Sequence, residues 1–122
     1  MRVLIVDDEP AIRRFLDEVL RGAGYQTVLA GDGEDAFEIP GPFDLLLTDL
    51  MMPRMAGDVL ALKMFKRDPK LKVLYLTGQS DRLFKKKVTL WYSEAFLDKP
   101  VTAEALLDAI DALLRGGLVG SR

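Results

Sequence analysis

The sequence contains neither cysteine nor histidine. Without thiols there is no disulfide framework, no thiolate metal site and no cysteine nucleophile, a composition that suits a reducing compartment. Without imidazole, serine-histidine catalysis and histidine-ligated zinc are excluded as well. An excess of one charge is also missing: 17 basic and 19 acidic side chains leave a formal charge of −2, which supplies no global footprint for nucleic acid. No apolar run approaches the ~20 residues that span a bilayer. Met1-Arg2 leads straight into Val3-Leu4-Ile5-Val6, with no signal-peptide core or small-residue cleavage site, so the expectation is a soluble, cytoplasmic chain.

What is present is enough apolar material for one core: 49% of 122 residues. The expected domain runs over 1–115, with 116–122 as a flexible tail. Strand-sized runs recur at Val3 to Val6, Gln26 to Ala30, Leu45 to Leu47, Val73 to Leu76 and Ala95 to Leu97, each pair separated by room for a helix. Ile12, Phe15, Leu16, Val19 and Leu20 form a helical stripe that opens near Pro10 and stops at Gly22 and Gly24. Leu106, Leu107, Ile110, Leu113 and Leu114 form another, ending at Arg115-Gly116. Further helices are expected over 57–67 and 81–91, while Pro40 and Pro42 leave barely two turns after Gly33. Strand-helix alternation implies an α/β sandwich with a parallel sheet, whose strands bring their carboxyl ends to one edge.

That edge carries chemistry. The first run ends in Asp7-Asp8-Glu9, the third in Thr48-Asp49, the fourth in Thr77-Gly78 and the fifth in Asp98-Lys99-Pro100. Carboxylates forced together repel and raise one another's pKa unless a cation intervenes. With oxygen ligands alone, a hard divalent ion fits, and few protein ligands with room for water favour Mg²⁺ over Ca²⁺. Capping of the first helix is the bland account of Asp7 and Asp8, but Asp49, Thr77 and Lys99 on separate strands speak against it. An aspartate beside a metal, an ammonium and a hydroxyl is equipped to attack phosphorus, and Asp49 is the best placed.

These residues resemble the response-regulator receiver family of two-component signalling, from Val3 to Leu114. The resemblance rests on Val3-Leu4-Ile5-Val6-Asp7-Asp8-Glu9-Pro10, Asp49-Leu50-Met51-Met52-Pro53-Arg54-Met55-Ala56-Gly57, Leu76-Thr77-Gly78 and Phe96-Leu97-Asp98-Lys99-Pro100. It implies a single-domain, doubly wound (βα)5 flavodoxin-like fold with sheet order 2-1-3-4-5. It implies Asp49 as phosphoacceptor from a sensor histidine kinase or a histidine phosphotransfer protein, and slow self-dephosphorylation. Mg²⁺ would be held by Asp8 and Asp49 directly, by Asp7 through water, and by the Met51 carbonyl. Thr77 and Lys99 would bind phosphoryl oxygens, and Phe96 would fill space vacated by Thr77. Pro100 follows the lysine, and Met51 and Gln79 flank the site where they can tune attack by water. The output would be a rearranged face of the helix over 81–91, the last strand and the last helix, read by a downstream effector protein or domain.

The resemblance implies neither direct nucleic-acid contact nor a membrane, and leaves oligomeric state open, a phosphorylation-dependent dimer included. One alternative is a receiver-like binding module that engages partners regardless of phosphate. Another, a nucleotide binder, rests on Gly31, Gly33 and Ala36 in a loose G-x-G-x-x-A pattern. Asp32, Glu34 and Asp35 oppose it by placing negative charge where a pyrophosphate must sit. Trp91, with Phe84 and Val88 at helical spacing, reads as core-facing, Tyr92 as a candidate partner contact, and Arg82 with Lys85-Lys86-Lys87 as a solvated basic face.

Overall fold

A computed structural model describes residues 1–78 and 94–115. The helix expected over 81–91, Gln79, Trp91, Tyr92 and the expected tail lie outside the described residues. The elements run β1 (Arg2–Val6), α1 (Pro10–Gly22), β2 (Gln26–Ala30), α2 (Gly33–Glu38), β3 (Leu45–Asp49), α3 (Gly57–Arg67), β4 (Lys72–Thr77), β5 (Glu94–Asp98) and α4 (Ala103–Leu114). All strand pairs are parallel, in the order β2-β1-β3-β4-β5. This is the expected doubly wound, flavodoxin-like arrangement.

The sheet divides the core into two apolar layers. Alternation along each strand sends Leu4, Leu46, Val73 and Tyr75 to one side, under Ala36 of α2 and Leu60, Ala61 and Met64 of α3. Ile5, Leu47, Leu74 and Leu76 face the other side, under Leu16 and Leu20 of α1 and Leu106, Ile110 and Leu113 of α4. Burial on both faces explains why β1 and β3 read as continuous apolar runs.

The strands exceed those runs. β5 begins at Glu94, and β3 and β4 continue to Asp49 and Thr77, so these functional candidates are strand residues rather than loop residues. Phe15, placed in the apolar stripe of α1 by its spacing, is 38% exposed at the stripe's edge, whereas Leu16 and Leu20 are buried. Pro10 sits in the first turn of α1, and Gly24 closes the turn behind it at φ 97°. α2 has six residues, matching the room left before Pro40.

Candidate phosphoryl and metal site

The carboxyl ends of β1, β3, β4 and β5 meet at one notch. Asp7, one residue past β1, is wholly buried, and four bonds fix it. Its N–H donates to Ala30 O at 3.3 Å and its carbonyl accepts from Arg13 Nη1 at 2.6 Å. Its Oδ1 accepts from the Glu9 N–H at 2.9 Å, and its Oδ2 accepts from Lys99 Nζ at 3.2 Å. Asp7 is not the capping residue of α1: that position is Glu9, whose own side chain makes no capping bond.

Asp49 closes β3 and is 6% exposed. Its Oδ2 lies 3.3 Å from Lys99 Nζ, and its Oδ1 accepts from the Met51 N–H at 3.4 Å. Asp8 is exposed beside them, and carboxylate oxygens of Asp7, Asp8 and Asp49 all lie within 4.8 Å of one another. Thr77 is buried at the end of β4, where its carbonyl accepts from the Lys99 N–H at 3.0 Å. The Lys99–Pro100 peptide is cis. Phe96 is half-buried on β5 against the layer that contains Tyr75, and Met51 is exposed at the rim. The notch thus brings together Asp7, Asp8, Asp49, Thr77 and Lys99 as the sequence suggested.

Among the described residues, one ammonium serves two buried carboxylates. Burial pushes the Asp49 carboxyl above its ordinary value, the Asp7 charge adds to the rise, and Lys99 offsets only part of it. For Lys99, burial pulls its pKa down, but Asp49 and Asp7 outweigh that and hold it above the usual lysine value. The excess negative charge, the all-oxygen donor set and the exposed third carboxylate fit a hard divalent cation.

Three neighbours of the notch were not assigned from the sequence. Glu9 Oε1 approaches Lys99 Nζ to 3.8 Å; its place in the Asp7-Asp8-Glu9 run was the available signal. Arg13 holds the Asp7 carbonyl from one turn into α1, six residues along the chain. Arg54, at φ 68°, ties the β3–α3 loop to the start of α2 through Asp32 at 2.7 Å and Glu34 at 3.6 Å. Asp32 also caps α2 by accepting from the Asp35 N–H, so protein groups already occupy the ground a dinucleotide phosphate requires. Beside Lys99, an apolar cleft of about 420 Å³ opens between Ile12 and Phe15 of α1 and Pro100-Val101.

A family model described as the response regulator receiver domain matches residues 3–111. The response regulator receiver protein CpdR of Brucella abortus is 34% identical over 115 residues, covering 93% of this chain and 96% of CpdR. The sensor histidine kinase TmoS of Ectopseudomonas mendocina is 34% identical over 123 residues, which are 98% of this chain but 12% of TmoS. Among solved structures, the response regulator TrrA of Thermotoga maritima in complex with Mg²⁺-BeF aligns with TM-score 0.80 and 30% identity, covering 92% of this chain and 97% of that one. The receiver domain of the hybrid histidine kinase CckA aligns with TM-score 0.78 and 30% identity, covering 93% and 99%.

Proposed function

Because the chain belongs to the response regulator receiver family of two-component systems, we propose that it is a cytoplasmic phosphoacceptor switch whose acceptor is Asp49. The observation that carries this reading is the Asp49 carboxylate held 3.3 Å from Lys99 Nζ inside a cluster of three acids. Asp49 attacks the phosphorus of a phosphohistidine on a sensor histidine kinase or phosphotransfer protein. An O–P bond forms, the N–P bond breaks, and the imidazole nitrogen retains the electron pair. Lys99 pairs with a phosphoryl oxygen and the Thr77 hydroxyl donates to another.

Mg²⁺, when bound, neutralises phosphoryl charge that a single ammonium leaves uncompensated. Asp8, Asp49 and the Met51 carbonyl would hold it. Asp7 acts through water, a role supported by the bonds from Glu9 and Lys99 that its oxygens already accept. The apolar cleft at Phe15 and Pro100, which Lys99 also lines, gives a donor protein surface to bury.

Phosphorylation adds charge at one point, and a charge-assisted bond or two suffices to carry a state populated at roughly 1% to a majority. Phe96 follows Thr77 inward, and the output face passes the change to a downstream effector. Pro100 borders the site, and slow hydrolysis of the acyl phosphate resets it.

The test is intact mass after incubation with a small-molecule phosphodonor, with and without Mg²⁺. One metal-dependent phosphoryl adduct is expected in the wild type and none in Asp49→Asn. An adduct that persists in Asp49→Asn reassigns the acceptor. A wild type that never acquires one, yet binds its partner, is a phosphate-independent module.

A further inference from the structure

Away from the carboxylate notch, β4 and β5 bury a second polar pair. Tyr75 is 0% exposed and Glu94 is 1% exposed, and the Tyr75 hydroxyl donates to Glu94 Oε2 at 2.8 Å. Burial among apolar side chains pushes the Tyr75 phenol far above its ordinary pKa, and the neighbouring Glu94 charge reinforces this, so the phenol is a permanent donor. Parting a phenol from a carboxylate in such a layer costs far more than parting them in water.

The register places this pair against the candidate switch. Tyr75 lies opposite Phe96, and Val73 lies opposite Glu94. Side chains two apart share a face, so Tyr75 and Thr77 on β4 and Glu94 and Phe96 on β5 project into one layer. Phe96 packs on the cluster that includes Tyr75. Phe96 has no hydroxyl of its own, and Tyr75 is the wall beside it.

We infer that the Tyr75–Glu94 hydrogen bond is a latch that positions Phe96 and thereby sets how far phosphorylation shifts the output face. The inference rests on the phosphoacceptor reading above. The latch holds the Tyr75 ring in place in the unphosphorylated protein, and Phe96 leaves its half-buried position only as the packing beside Tyr75 yields. Tyr75 and Glu94 are positioning residues and touch no phosphoryl group. Releasing the latch raises the resting population of the shifted state, because a two-state element responds to whatever biases either state.

The test follows the Phe96 ring by NMR of phenylalanine-labelled full chain, assigned with Phe96→Leu, in the free protein and after saturation with Mg²⁺ and beryllofluoride. In the wild type the Phe96 signal moves on saturation. In free Tyr75→Phe it already lies displaced toward the saturated position, corresponding to about a tenfold gain in that population, or about 1.4 kcal/mol. Glu94→Gln, which keeps an acceptor oxygen, stays with the wild type. Should Tyr75→Phe not fold, Glu94→Leu carries the same expectation. A pair that serves stability alone lowers the melting temperature but leaves the Phe96 response intact, and superimposable wild-type and Tyr75→Phe signals in both states overturn the latch. A wild-type Phe96 that ignores beryllofluoride, in protein whose Asp49 takes up phosphoryl, overturns the latch and spares the acceptor reading. Loss of the Asp49 adduct overturns both.

Discussion

Replacing Gly57 by alanine tests how tightly the frame of the site is built. A methyl group at Gly57 would lie 2.3 Å from the Asp49 carbonyl oxygen, and 3.1 Å from both the Asp49 carbonyl carbon and Thr48 Cγ2. The first of these contacts is about 0.7 Å inside the closest separation that real Cβ atoms tolerate. Both partners are fixed: the oxygen belongs to the last residue of β3, and the Gly57 N–H donates to Leu50 O at 2.8 Å. Either the first turn of α3 or the end of β3 must move, and each route displaces Asp49. Overpacking of this kind costs about 1–3 kcal/mol, a fall of roughly 4–12 °C in melting temperature for a domain of this size. Gly33→Ala is milder, because its methyl group meets only the flexible Met55 side chain at 2.9–3.1 Å. Gly22→Ala, with nothing within 4 Å in the last turn of α1, is neutral or stabilising. Calorimetry should rank the variants in that order, and the rate of phosphoryl uptake from a small donor should fall chiefly in Gly57→Ala. A Gly57→Ala protein that melts within about 2 °C of wild type and is phosphorylated at the wild-type rate would refute the argument.

Two further predictions concern charge. Lys99→Ala strands the wholly buried Asp7 carboxylate beside Asp49. It should cost about 2 kcal/mol, below the figure for a fully buried pair because the Lys99 side chain keeps some solvent contact. Mg²⁺ should then raise the melting temperature of the variant more than that of the wild type while Phe96 loses its phosphate response; equal metal shifts would count against the shared-ammonium account. The second prediction is a pH dependence. Burial raises the Asp49 pKa above its unfolded value of 3.8, so the folded state holds this proton more tightly. The Asp49 contribution to stability is therefore greatest below the unfolded pKa and declines as pH rises through the raised folded value. In chelator, the melting-temperature advantage of Asp49→Asn should grow from acid toward neutrality, and a pH-independent difference would exclude the mechanism.

The five strands and the helix over 57–67 were legible in the sequence because burial on both faces and helical periodicity are local patterns. The notch was legible because topology sends every strand's carboxyl end to one edge, whatever the helices between them do. The Tyr75–Glu94 bond was not. Glu94 is a charged residue that a hydropathy pattern leaves outside β5, and its partner is set by the register between strands 19 residues apart. Arg54 escaped for the same reason, since it grips a segment 22 residues away that only folding brings near. Phe15 was misplaced because five apolar residues in a helical stripe exceed the width that one sheet face covers.

The two-layered core has a consequence for how messages travel. Side chains under α1 and α4 belong to one apolar cluster, and those under α2 and α3, with Phe96, belong to another. Under the proposed function, a protein docked in the cleft at Ile12 and Val101 would meet the first layer and not the one that holds Phe96. Its signal would have to cross at the rim, where Lys99 reaches Asp7 and Asp49, or along the strands that both layers share. Each layer is then free to be refurnished by mutation for its own visitor, provided the doorway keeps its shape.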